Sequence, residues 1–497
     1  MTFGLLLFVR IRGLKDLVQY TYMDVLDLKG KKVTIMGLGQ FEHGSGWAAA
    51  QFAIDQGADL IITDLKTEKD LAHQIKRVKD HAAAVGYHGN IDWVMGEHRD
   101  ELFTQTDMVI RNPGVPIQSP FLQAARKAGV PVESEMTLFF KLCPAKIVGI
   151  TGTRGKSTTT SLISSLLQKG KAKLWWGGNI GKRSPLEFLA EVKKDHLVVL
   201  ELSSWMLESL HEHKLSPQVA VLLNVQEDHL NRYKSMETYA EAKEYITMHQ
   251  KPEDVLICNH ANGYTKAMGE RTRAHVYWYD RLSDLPEGYF LKDTMVTERL
   301  SGKQEALVDV RNVPLRGEHN YENILAAVAC ARRFALSAEV ISQELAMANT
   351  LPGRIQFIDE IRGITFVNDT TATTPSAGLA ALRALKDRPI VMIAGGSDKQ
   401  LDFTELAQAA PGLTKAIVWL PGAGTDRFKA SLPADTRLNQ VDAASMQEAV
   451  KQAFALAQKG DIILLSPSCA SFGLFKNEFD RGDKFNEAVS SLASIMK

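Results

Sequence analysis

The sequence predicts an α/β protein built on parallel sheets and divided into three domains. Three observations predict it. Short apolar runs alternate with longer amphipathic stretches almost throughout, which is the pattern of strand–helix units. Two of those runs, "KKVTIMGLG" and "AKIVGITGTRGK", pass into glycine turns that lead to a helix. The chain has 497 residues, which is room for roughly two to four domains that each bury a core.

The elements follow in order. Residues 1–22 read as a peripheral N-terminal extension. The apolar run in "MTFGLLLFVR" is shorter than the roughly 20 residues that a membrane span takes. Arg10 and Arg12 end and follow it with no small-residue cleavage site, so neither a signal peptide nor stable membrane insertion is expected. The first domain is placed at 23–144. "KKVTIMGLG" is a buried strand entering a turn, a helix runs from about Gly46 to Gly57, and "DLIITD" is the next strand. "DMVIRNPGVP" is a further strand, stopped by Pro113 and Gly114. The second domain, 145–350, opens with "AKIVGI" and continues through "LVVLELSS" and "VAVLLNV". The third, 351–497, opens with "LPGRIQF" and carries "ITFVND", "PIVMIAGG", "KAIVWLPG" and "DIILLSP". No internal repeat or low-complexity tract interrupts them.

Composition narrows the function. Lys plus Arg and Asp plus Glu both number 58, so the formal charge is zero and no basic bias points to nucleic acid. Cys143, Cys258, Cys330 and Cys469 are scattered without a C-x-x-C. That pattern fits reduced cytosolic thiols better than disulfides or a zinc site.

The stretch "GITGTRGKSTTT" at 149–160 joins a strand, a glycine turn and a helix start, which aims backbone N–H groups at an anion. Lys156 is placed to reach terminal phosphates, and Ser157 or Thr158 to help hold Mg²⁺. The spacing departs from G-x-x-x-x-G-K-[ST], because position 150 is Ile. In "GLGQFEHGSG", Glu42 stands where a dinucleotide fingerprint needs glycine, so another nucleotide moiety is expected there. Asp64 ends the second strand, where an acid often binds a ribose or a base. Glu201 leaves an apolar strand, where burial demands a cation: a lysine in the simpler reading, a metal in the other. Asp228, His229 and Arg232 follow the next strand. Both groups fall at strand C-termini, where open α/β sheets keep ligands. Glu201 and His229 therefore read as metal ligands beside the phosphate loop.

Taken together, "TGTRGKST", "GGNIG", "LELSS", "NVQEDHLNRY", "AKEYI", "GEHNYENILAA", "LPGR", "NDTTATTP", "GGSDK" and "LLSPSCASFGLFKNEFDRG" resemble the motifs of the Mur ligases, in family order, over roughly residues 31–495. These are ATP-dependent amide-bond ligases of peptidoglycan precursor synthesis. The last motif is similar to the branch that adds D-glutamate to UDP-N-acetylmuramoyl-L-alanine, and it separates the chain from folylpolyglutamate synthases. The resemblance implies a Rossmann-like N-terminal domain, a central P-loop mononucleotide-binding domain and a Rossmann-like C-terminal domain. It implies a cytoplasmic enzyme, a monomer, that makes an acyl phosphate from ATP and uses two Mg²⁺ ions.

Residue by residue, the resemblance assigns Gly152, Thr153, Arg154, Gly155, Lys156, Ser157 and Thr158 to ATP. Asn320 and Asn323 would contact adenine, with helix capping as their plain alternative. Arg354 and Asp369 would bind phosphates and ribose. The catalytic set is Lys156, Glu201, His229 and Lys243, and the metal set is Ser157, Glu201, His229 and carbamylated Lys243. Periodicity alone makes Lys243 an exposed helix lysine. Only the resemblance makes it the carrier of a CO₂-derived carbamate. Asp64, Asn179 and Ser203 would face the UDP substrate. Thr373, Lys399, Ser471 and Phe472 would take glutamate.

Three positions depart from the family pattern. Thr371 replaces a lysine, Glu478 an aromatic residue and Asn231 an aspartate. One cation fewer and one anion more keep L-glutamate open as the incoming amino acid. A nicotinamide oxidoreductase and a non-catalytic nucleotide-binding protein are the readings from other classes. Glu42 argues against the first, and the retained Lys156, Glu201, His229 and Lys243 argue against the second.

Overall fold

The computed structural model describes residues 27–40, 44–180, 183–228, 230–315, 317–348 and 351–496. The extension at 1–22, Glu42 and His229 lie outside the described residues. The chain folds into two compact units. The first runs to Ala145 and takes in Arg183–Lys194, and the second holds the remainder.

The first unit contains five strands: β1 (Lys32–Met36), β2 (Asp59–Asp64), β3 (Ile91–Met95), β4 (Met108–Arg111) and β5 (Val132–Ser134). All pair in parallel, in the order β3-β2-β1-β4-β5. Val33, Ile35, Ile62 and Val109 are fully buried, as continuous apolar strands covered on both faces require. Strand order reverses between β1 and β4, which opens a crevice at their C-terminal ends. There the helix Ser45–Asp55 packs so closely that a Cβ on Gly46 would lie 2.3 Å from the Leu38 carbonyl oxygen. Asp64 accepts the N–H groups of Gly39 at 3.2 Å and Lys66 at 3.0 Å, so its carboxylate braces this turn.

The first unit is not one continuous stretch of chain. Residues Arg183–Lys194 belong with the first unit because their apolar side chains find their partners there. Phe188 meets Phe139 edge-on with centroids 5.8 Å apart, and Trp47 Nε1 donates to Glu187. The Ser184 hydroxyl donates to the buried Glu135, and burial raises the Glu135 carboxyl above its ordinary value.

The second unit holds two sheets. One has nine strands: β6 (Lys146–Thr151), β7 (Leu174–Gly178), β8 (Leu197–Glu201), β9 (Val219–Leu222), β10 (Val255–Asn259), β11 (His275–Asp280), β12 (Gly288–Lys292), β13 (Met295–Leu300) and β14 (Lys303–Asp309). Their order is β14-β13-β12-β11-β10-β9-β6-β8-β7. Strands from β7 to β12 across the sheet are parallel, and β13 and β14 close it with antiparallel pairs. The β13–β14 hairpin turns on Ser301 and Gly302, with φ of 50° and 74°, the pair of left-handed residues that such a two-residue turn needs. The β6 strand lies between β8 and β9, and Val148, Ile150, Val199 and Val221 are buried around it. The helix His319–Arg333 adds Ile324, Leu325 and Val328 to this core.

The other sheet has six strands: β15 (Gln356–Ile361), β16 (Ile364–Asn368), β17 (Ile390–Gly395), β18 (Ala416–Leu420), β19 (Asn439–Asp442) and β20 (Ile462–Leu465). Their order is β15-β16-β20-β17-β18-β19, and only β15 is antiparallel. The C-terminal helix Glu478–Met496 lays Phe485, Val489 and Leu492 against it. Each run quoted as a strand above is one. The more polar β3, β13, β14 and β19 carried no comparable signal.

Candidate active site

The phosphate loop is built by close packing. After β6, the Thr153 N–H donates to the Asn224 carbonyl at 2.8 Å, and the Arg154 N–H to Asn224 Oδ1 at 2.9 Å. Gly155 caps the helix Lys156–Leu167 with φ of 84° and no side-chain cap. A Cβ there would lie 2.1 Å from Asn323 Oδ1, so both the backbone and the neighbour require glycine. The helix start is left with uncapped N–H groups, the feature that binds anions. Lys156 Nζ donates to the carbonyls of Gly152 at 2.9 Å and Thr153 at 3.0 Å. Burial lowers its pKa, with the nearby Glu201 opposing.

Asn320 and Asn323 do not cap their helix, which begins after Glu318 without a side-chain cap. Asn323 Nδ2 donates instead to Asn320 Oδ1 at 2.9 Å, and Thr159 donates to Asn323 Oδ1 at 3.2 Å. The pair thus borders the phosphate loop. Thr158 is half-buried on the first turn of the loop helix.

Glu201 ends β8 at 1% exposure. Its Oε1 accepts from Asn179 Nδ2 at 2.9 Å. Its Oε2 is shielded from solvent and has no hydrogen-bond partner among the described residues. A lone buried carboxylate oxygen is costly, and a divalent cation would satisfy it. Among the described residues no three His, Cys, Asp or Glu side chains converge as a ready metal cluster. Glu201 therefore stands with the buried Ser157 and Lys243 as the described part of the expected set. Ser203 accepts the Met206 N–H at 3.3 Å and so caps the helix Ser204–Glu212.

Lys243 overturns the reading from periodicity. It lies on the helix Met236–Met248 yet is only 2% exposed, with Nζ 5.2 Å from the centre of the Tyr239 ring. Burial pushes its pKa well below the ordinary lysine value, and the charge of Lys156 adds to that effect, while Asp228 and Glu201 oppose it.

The C-terminal sheet contributes Arg354, whose Nη2 donates to Ser157 Oγ at 2.9 Å. The next residue, Ile355, has φ of 46°, a strained conformation for a β-branched side chain. Its N–H donates to Asp369 Oδ1 at 3.2 Å, while Ser466 donates to Asp369 Oδ2 at 2.9 Å. Burial raises the Asp369 carboxyl to about 7.

Of the residues expected to take the amino acid, Lys399 lies beside Asp228 and Thr373 beside Lys399. Lys399 Nζ donates to Thr373 Oγ1 at 3.2 Å and lies 4.0 Å from Asp228 Oδ1. Burial lowers the Lys399 pKa, with Asp228 opposing. The Arg154 side chain leaves the phosphate loop and joins the same cluster: Nη1 donates to Asp228 Oδ2 at 3.3 Å, and Nη2 donates to Thr374 Oγ1. Ser471 is buried, while Phe472 is 66% exposed and offers its backbone carbonyl to Ser397. The Thr371 hydroxyl donates to the Gly353 carbonyl at 3.0 Å, so it holds the turn that carries Arg354.

Sequence reading missed Arg481. It is fully buried without a carboxylate partner among its hydrogen bonds, donating to Thr370 Oγ1, the Thr370 carbonyl and the Cys469 carbonyl. Burial lowers its pKa to about 10. Its only sequence signal is its place in "NEFDRG".

Three family models match: the Mur ligase middle domain over residues 150–331, the Mur ligase glutamate ligase domain over 353–469, and the Mur ligase MurD-like N-terminal domain over 31–134. A UDP-N-acetylmuramoylalanine–D-glutamate ligase from Roseiflexus sp. (strain RS-1) is 40% identical over 481 residues, covering 94% of this chain and 100% of that one. The enzyme of the same name from Clostridioides difficile (strain 630) is 33% identical, with 94% and 100% covered. Among solved structures, the UDP-N-acetylmuramate–alanine ligase of Thermotoga maritima aligns with a TM-score of 0.59 at 18% identity, covering 93% of this chain and 100% of that one. A MurF ligase from the same organism, solved with ADP, aligns at 0.57 and 17%, covering 88% and 96%. These two structures share the three-part α/β architecture.

Proposed function

The chain belongs to the Mur ligase family, and we propose that it joins D-glutamate to UDP-N-acetylmuramoyl-L-alanine, converting ATP to ADP and phosphate, in peptidoglycan precursor synthesis. Mur ligases are ATP-dependent and use Mg²⁺. One observation carries the assignment of the site. The phosphate loop follows β6 and the partnerless Glu201 Oε2 ends β8, at strand ends where such sheets keep ligands, and the buried Lys243 is near enough for the charges of Lys156 and Glu201 to act on it.

The chemistry follows from these residues. A carboxylate oxygen of the alanyl group attacks the γ-phosphorus of ATP, and ADP departs. The amine of glutamate then attacks the acyl carbon, phosphate leaves, and the amine loses a proton. Lys156, half-buried in its loop, neutralises charge that grows on the transferred phosphoryl group. The uncapped N–H groups after Gly155 bind the β-phosphate side, and Arg354 reaches the same place from the C-terminal sheet. Asn320 and Asn323 border the adenine, and Asp369 orients Arg354 and the ribose. Glu201 Oε2, Ser157, His229 and a carbamate on Lys243 would hold Mg²⁺. When bound, that ion supplies charge neutralisation at phosphate and acyl oxygens.

The environment of Lys243 favours the carbamate. An amine whose pKa is lowered by burial is neutral in a larger fraction of molecules, and the neutral form is the nucleophile. Its nitrogen bonds to the carbon of CO₂ and a proton leaves. The site beside Lys156 thereby carries an anion.

The rest of the reading is organised by domain. The first domain, 23–144, takes the UDP end through the turn braced by Asp64. The domain at 351–497 takes glutamate through Thr373, Lys399 and Ser471, with Phe472 at the rim. The enzyme works as a monomer in the cytoplasm. The four free cysteines support that compartment. No helix among the described residues is long and apolar enough to cross a membrane. Lys156→Ala tests the site: a folded variant should lose phosphate release that depends on both substrates. Activity near the parent's would remove the phosphate loop from the mechanism.

A further inference from the structure

The geometry points to Arg154 as a specificity-determining residue, a second cation for a carboxylate of the incoming amino acid. The inference rests on the reading that the enzyme adds glutamate. A dicarboxylic amino acid brings two carboxylates into the pocket, and Lys399 alone is a poor match for both. Position 371 supplies no cation. Thr371 is there, and both its N–H, at 3.1 Å, and its hydroxyl, at 3.0 Å, are committed to the Gly353 carbonyl.

Arg154 reaches the cluster from the opposite side. Asp228 is 6% exposed and has one cation on each oxygen, Arg154 at 3.3 Å from Oδ2 and Lys399 at 4.0 Å from Oδ1. The ring closes through neighbouring threonines, because Lys399 donates to Thr373 and Arg154 donates to Thr374. Arg154 and Lys399 thus present two cations to one shared carboxylate, and a ligand carboxylate would give them a second acceptor.

Arg154 has donors to give. A guanidinium carries five N–H groups in a planar fork suited to carboxylates. Among the described residues two are engaged, and the side chain is 28% exposed. Its backbone N–H is meanwhile fixed to Asn224 Oδ1. The loop "TGTRGKST" thus presents Lys156 to phosphate and turns Arg154 toward the amino acid. One loop serves both sites.

Steady-state kinetics of the full chain test this, with D-glutamate and ATP varied in turn. The parent must first show glutamate-dependent phosphate release; its absence would remove the reading and the inference together. Given that release, Arg154→Gln should raise the KM for D-glutamate on the order of 10- to 100-fold, while the KM for ATP stays within about twofold. Arg154→Lys should recover part of the loss, because a cation remains. An unchanged glutamate KM in Arg154→Gln would overturn the inference. So would equal rises in both KM values, the behaviour of a phosphate ligand or of a purely structural residue.

Discussion

Arg354 Nη2 donates to Ser157 Oγ at 2.9 Å, joining residues 197 positions apart. The contact links the strained turn before β15 to the first turn of the phosphate-loop helix. Arg354 is held in place by Ile355, whose N–H is tied to Asp369. Arg354→Ala should therefore lower kcat/KM for ATP by about 10- to 150-fold, the worth of one charge-assisted hydrogen bond. Lysine at this position should recover little, because it lacks the planar fork. Phosphate-release kinetics with ATP varied provide the measurement, and parent-like values in Arg354→Ala would exclude the contact from catalysis.

Asp369 should make stability depend on pH. Burial holds its folded pKa at about 7, above the unfolded value near ~3.9. The folded state thus binds the proton more tightly. Its contribution to stability is complete below about pH 4 and is lost as pH rises through about 7. Between pH 5 and pH 8 the parent should lose on the order of 2 kcal/mol that Asp369→Asn does not. Urea unfolding of both proteins at the two pH values is the check. A parent–variant difference that is flat with pH would contradict it.

Lys243→Ala should lose activity that bicarbonate does not restore, while short-chain carboxylates recover part of it. The motive is an amine buried beside Lys156 with its pKa well below normal. Carbon-13 NMR of the parent in labelled bicarbonate should show a carbamate resonance that Lys243→Ala lacks. An active parent without that resonance would sink the modification.

Lys399→Ala should raise the KM for the amino acid by about 10- to 150-fold, with far less effect on ATP. Its Nζ is fixed between Thr373 and Asp228. An unchanged amino-acid KM would place the pocket elsewhere.

Much of this site was legible in the sequence because it sits at strand ends. Glu201 follows four apolar residues and Lys156 follows a glycine turn, so local pattern located both. Lys243 was not legible from pattern. Glu241 and Glu244 flank it, and its face reads as solvated until the helix Met236–Met248 packs and buries it. The direction of Arg154 was likewise hidden, since its partners Asp228 and Thr374 are 74 and 220 positions away. Among strands, the continuous apolar β6 and β17 announced themselves. The polar edge strand β19 did not, because it buries little and is held by pairing with β18. The segment Arg183–Lys194 joins the first unit through Phe188 and Glu187, contacts that no local composition encodes.

The central claim is the ligation of D-glutamate to UDP-N-acetylmuramoyl-L-alanine. Its most direct test is a substrate panel with that acceptor, ATP and Mg²⁺ against D-glutamate, L-glutamate and other amino acids, reading phosphate release and product mass together. The expected result is stoichiometric phosphate with a product one glutamate heavier, and a kcat/KM for D-glutamate on the order of tenfold or more above that for L-glutamate, as one or more pocket contacts would provide. Product formed only with L-glutamate or with another amino acid, or no acceptor-dependent phosphate at all, would contradict it.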